Sequence, residues 1–127
     1  MAVVLLHERH GEALLEVGAA VVEAQEARHH AEALDWALRS KDAPVIGLAL
    51  VGVADTSLNR GDPEHAAMLL GASVAIRGVP DLSYADALRV EAATRAALGY
   101  ELFAEAAARG RSATMDTVRG LVATPAA

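Results

Sequence analysis

Apolar positions along this chain recur mainly at three- and four-residue spacing, the period of an amphipathic helix. Ala27, Ala31, Leu34 and Leu38 form one stripe within Glu23–Ser40, with Glu, Gln, Arg and His on the opposite face. Trp36 lies off that stripe. Val45–Arg60 carries Ile46, Leu50, Val53, Ala54 and Leu58 and is apolar on more than one side, which predicts an interior helix. Ala66, Leu70, Ser73 and Val74 mark the next helix, with Ala67 beside them, up to Arg77-Gly78. A helix of mixed polarity is predicted over Tyr84–Leu98. A shorter one follows over Tyr100–Arg109, with Leu102, Phe103, Ala106 and Ala107 buried. A last short helix holds Val118, Leu121 and Val122. Tyr100 and Phe103 read as core at the junction of these last helices.

The punctuation agrees with this division. Lys41-Asp42-Ala43-Pro44 breaks one helix and starts another: Asp42 is placed to cap it, and Pro44 falls in the first turn, where its missing N–H is harmless. Arg60-Gly61-Asp62-Pro63 repeats the device, and Gly78, Gly99 and Gly110 are placed as stops. Ser83-x-x-Asp86 resembles a capping box, and Thr114 can cap the last helix. The first segment, Met1–Glu23, has Ala13, Val17, Ala20, Val21 and Ala24 at helical spacing. Ala2–Leu6 could extend that helix, or pair as a strand with Ala13–Val17 through Arg9-His10-Gly11; helix is preferred because nothing later offers a sheet partner. The pattern predicts six or seven helices, no strand and one domain over residues 1–127.

Asp42–Arg77 is thereby a helical hairpin, the unit of an α-solenoid. Alignment of Gly61-Asp62-Pro63 with the inter-helix turn of a tetratricopeptide repeat puts Leu50, Val53, Ala54 and Ser57 on the first helix. Ala66, Leu70 and Ser73 fall on the second, with the small Ala54 and Ala66 at the close crossing. The large aromatic positions of that repeat are absent. Ala13–Leu38 could be a second hairpin with a poorly marked turn.

Composition narrows the class. Hydrophobic residues make up 54% of the chain and aromatic ones 3%, so Ala, Leu and Val must build the core. Those residues favour helices that approach closely. The absence of cysteine excludes disulfides, thiolate metal sites and cysteine nucleophiles, and it fits a cytoplasmic protein. A formal net charge of −6 argues against direct binding of nucleic acid. Met1–Leu6 is too short to span a membrane and lacks the basic start of a signal peptide.

Candidate chemistry is sparse. His7 and His10 share a face if their segment is helical, and Glu8, Glu12 and His29-His30 could complete a metal site, but a His-Glu-x-x-His arrangement is missing. The histidines read as solvated or capping residues on helix surfaces, and no metal or cofactor is expected. Glu23, Glu26 and Glu32 lie on a solvated face; Asp55, among apolar neighbours, is the acid placed for burial and is expected to bond a neighbouring helix end or Arg60. Ser57, Ser73, Ser83 and Ser112 lack a Gly-x-Ser-x-Gly elbow; Ser57 and Ser73 read as small residues at helix crossings, Ser83 as a cap. Trp36 and Tyr84 remain as interaction residues, although Trp36 could instead cover a helix of its own chain.

The run Arg60-Gly61-Asp62-Pro63-Glu64-His65-Ala66-Ala67-Met68-Leu69-Leu70-Gly71-Ala72, followed by Tyr84-x-x-Ala87-x-x-Val90, Arg95-Ala96-Ala97-Leu98-Gly99, Phe103-x-x-Ala106 and Ala108-Arg109-Gly110-Arg111, resembles a signature near the C-terminus of large actinobacterial regulators. These are the antibiotic-regulatory (SARP) and large LuxR-type families, and the resemblance covers roughly residues 40 to 122. It implies a tetratricopeptide-like tail that contacts protein partners or senses effectors, in a parent with an NTPase and a DNA-binding domain. This chain has no Walker-type glycine loop and no basic recognition helix. The expected function is therefore a non-catalytic regulatory interaction module that self-associates or binds other domains. The alternative is an effector-sensing helical domain with a pocket between helices.

Overall fold

A computed structural model describes residues 2–78 and 85–123, with side chains from Val17 onward. Among the described residues the fold is all-α: α1 (Ala2–Ser40), α2 (Ala43–Asn59), α3 (Pro63–Arg77), α4 (Ala85–Leu98), α5 (Tyr100–Gly110) and α6 (Val118–Ala123). The second hairpin envisaged for Ala13–Leu38 does not form. Its two halves join in a single helix of 39 residues, about 58 Å long. No proline interrupts it, and Gly18 is tolerated within it with no atom near the position of a Cβ. The same helix replaces the strand alternative for Ala2–Leu6.

The punctuation residues act as read. Asp42 accepts a hydrogen bond from the Val45 amide at 3.3 Å, and Asp62 accepts one from the His65 amide at 3.0 Å. Each carboxylate thereby satisfies an orphan N–H at a helix start that also carries proline. Gly78 closes α3 in the left-handed conformation at φ 85°, which a Cβ would disfavour. Thr114 exchanges hydrogen bonds with Thr117 just before α6.

Helix α3 is the centre of the molecule, packed by α2, α4, α5 and α6. Ile46, Leu50, Ala54, Ala66, Leu69 and Val90 are buried around it. The small Ala54 and Ala66 are both fully buried, and Phe103 is in the core as expected. Helix α5 lies so close to α3 that a Cβ at Gly71 would overlap the Ala107 carbonyl, and one at Gly110 would overlap the Met68 carbonyl. Gly110 is therefore a residue of helix contact, still inside α5, as well as near its end. Tyr100 and Leu102 depart from expectation: Tyr100 is 80% exposed and Leu102 also faces solvent. They sit on the outer side of α5, whose inner side is already filled by Phe103, Ala106 and Ala107.

Ion pairs tie the outer elements down. Asp35 of α1 bonds Arg119 of α6 at 2.7 Å and Arg39 at 2.8 Å. Asp55 of α2 bonds Arg89 of α4 at 3.1 Å, and Glu64 of α3 pairs with Arg109 of α5. Asp55 is half-buried, and its partner is Arg89 on a neighbouring helix, where the sequence reading had offered a helix end or Arg60.

Candidate interaction surface

Helix α2 forms the floor of a groove whose walls are α1 and α4. Ala33 stands on one wall, Val45, Leu48 and Ala49 on the floor, and Val90 on the other wall. The groove has a volume of about 260 Å³. Val45 and Leu48 are exposed there, on a helix whose apolar character on more than one side predicted an interior position. Asp55, Asp86 and Arg89 close one end. Arg89 bonds both carboxylates, Asp86 at 3.4 Å, and its guanidinium is held above its ordinary pKa chiefly by the hydrogen bond to Asp55.

Trp36 is 70% exposed, on the outer side of α1. It follows Ala33, a residue of the groove wall, by three positions, so the two are neighbours on the helix surface. The Arg39 guanidinium lies 5.6 Å from the indole centroid, a cation–π spacing that holds the ring outward. Among the described residues Trp36 is left largely uncovered. Tyr84, the other expected interaction residue, lies outside the described residues, as do Ser83 and the side chains of His7, His10, Glu8 and Glu12. The described histidines do not gather: His30 lines the groove and His65 lies elsewhere. No set of three or more metal-ligating side chains comes together among the described residues.

A second groove, about 720 Å³, runs between α1 and the ends of α2, α3 and α6. Ala24, Ala27 and Ala31 of α1 line one side, and Val53, Val122 and Ala123 the other. His65 stands in it and is buried, contrary to the reading of every histidine as a surface residue. Its Nε2 lies 3.0 Å from the Leu121 carbonyl and its Nδ1 3.0 Å from the Ser57 hydroxyl. A carbonyl only accepts, so Nε2 carries a proton, and Nδ1 pairs with the Ser57 hydroxyl. The imidazole thus bonds α2 and the C-terminal helix from its place on α3. No signal in the sequence distinguished His65 from the surface histidines except its place three residues after the Asp62 cap.

The pairing of Ser57 with His65 has the outline of a nucleophile and base. Ser57 is buried in the last turns of α2. Ser73 is likewise more than a small residue: it donates to the Gly47 carbonyl at 2.8 Å and joins α3 to α2. Both serines are structural ties.

No protein-family model matches the chain, and neither does any curated protein or solved structure. Among the described residues no helix is long and apolar enough to cross a membrane.

Proposed function

We propose that this chain is a non-catalytic helical interaction module that associates through the groove between α1, α2 and α4. The observation that carries the reading is the exposure of Val45 and Leu48 in one groove, with the exposed Trp36 three residues from Ala33 of its wall. An exposed indole next to aliphatic side chains is the usual anchor of a protein interface. The resemblance of residues 40 to 122 to the tetratricopeptide-like tail of SARP and large LuxR-type regulators supports a regulatory role in the cytoplasm. The partner is then a second copy or another domain of such a regulator. The net charge of −6 disfavours direct contact with nucleic acid.

Sedimentation velocity over a hundredfold concentration range tests this. Wild type self-associates, and Leu48→Glu, which places a charge on the groove floor, stays monomeric with unchanged helicity. Equal self-association of the two proteins would remove the groove from the interface.

The effector-sensing alternative is favoured by a different observation, the volume of the groove beside His65. It falls within the range of small-molecule sites.

A further inference from the structure

The larger groove gathers two arginines on one lining. Arg39, Arg89, Arg95, Arg109 and Arg119 each hold a carboxylate. Arg28, Arg60, Arg111 and Lys41 form no ion pair among the described residues, in a chain where acids outnumber bases, and of these only Arg28 and Arg60 share a groove. Both line the groove between α1, α2 and α6, one from the middle of α1 and one from the end of α2. The carboxylate that shares the groove, Asp62, is engaged by the His65 amide. The arginine and aspartate side chains of the lining are two guanidiniums against one carboxylate. The remaining lining is alanine and valine, with Thr56, Ser57 and His65.

A smaller gap of about 230 Å³ adjoins this groove and shares Arg60 with it. Its lining includes Glu23, Glu26 and Asp55. These carboxylates repel an anionic head, so such a head is left to the Arg28 and Arg60 side of the larger groove. The apolar wall of Ala27, Ala31, Val53 and Val122 offers burial to a hydrocarbon body, and each buried methylene contributes about 0.8 kcal/mol.

We infer that this groove binds an amphipathic anion, with an aliphatic body on the alanine–valine wall and a carboxylate or phosphate head between Arg28 and Arg60. This goes beyond the interaction reading and is independent of it, because the two grooves lie on different sides of α1. Ligand in this groove would also touch Val122 and Ala123, and so bear on α6.

Isothermal titration with decanoate, decyl phosphate, decanol and decyltrimethylammonium, each below its micelle concentration, tests the assignment. At least one of the two anions binds once per chain, and whichever binds more tightly assigns the head group. Decanol binds at least tenfold more weakly, and the ammonium probe does not bind. The double variant Arg28→Gln/Arg60→Gln loses at least tenfold in affinity for the anion. Its unliganded unfolding midpoint stays at the wild-type value, since both side chains are exposed and unpaired. Should that variant not fold, Arg28→Glu alone carries the test with the same expected loss. The inference is overturned if neither anion binds at millimolar concentration, if decanol or the ammonium probe binds as well as the anions, or if the arginine variants bind unchanged. None of these outcomes alters the Leu48→Glu sedimentation result, so the two readings fail separately.

Discussion

His65 shows how much one buried polar side chain can organise. Its three hydrogen bonds, two from the ring and one from the backbone, reach α2, the α3 cap and α6. His65→Leu removes both ring bonds and leaves the Leu121 carbonyl and the Ser57 hydroxyl without those partners. The expected cost is about 2–3 kcal/mol in urea unfolding. A loss below about 0.5 kcal/mol would mean that water replaces the imidazole at no cost. The sequence made Asp42, Asp62 and the prolines after them legible, because capping is a local interaction between residues three apart. It hid His65, since burial of a polar group depends on partners eight and fifty-six positions away. Tyr100 was misplaced for a related reason: apolar character marks a helical face, and only the packing of neighbours decides which face is covered.

Between elements, the closest approach is α3 against α5. Gly71→Ala must push the Ala107 carbonyl away, and Gly110→Ala the Met68 carbonyl. Either substitution is expected to destabilise by more than about 2 kcal/mol. Gly18→Ala, at an open helical position, should stabilise α1 by about 0.5–1 kcal/mol. Chemical denaturation of the three variants separates contact glycines from helix-weakening ones, and a stabilising Gly71→Ala would contradict the close crossing. The tie between α1 and α6 carries a pH signature. The Arg119 hydrogen bond holds the Asp35 carboxyl below its usual range against the opposing effect of desolvation, with the charges of Arg39 and Arg119 adding to it. A lowered folded-state pKa stabilises the fold above the unfolded value, and the effect is lost as pH falls through the folded value. The melting-temperature gap between wild type and Asp35→Asn is therefore expected at neutral pH and should close in acid. A gap that widened in acid would show that Asp35 is not held ionised by this pair. The helix boundaries from Ala43 to Ala123 followed the sequence pattern closely. The long α1 did not, because a helix without proline or a strong stop has no local reason to turn.

For the whole molecule, alanine-rich helices pack closely around α3 and leave two grooves on either side of α1. One has an exposed tryptophan nearby on α1, and the other is lined by two arginines that form no ion pair among the described residues. The sequence marked Trp36 as off the buried stripe of its helix, yet Val45 and Leu48 were hidden within a run that is apolar on more than one side. What exposes them is the gap between the α1 and α4 walls, a tertiary feature absent from periodicity. The central claim is that the groove beside Trp36 is an interface. Trp36 is the only tryptophan in the chain, so its fluorescence reports on that part of α1 alone. Its emission should begin at the wavelength of a solvated indole at low micromolar concentration and shift to the blue as concentration rises, with Leu48→Glu abolishing the shift. Emission that stays at the solvated wavelength across that range, while sedimentation shows the chain associating, would place the interface elsewhere and contradict the account.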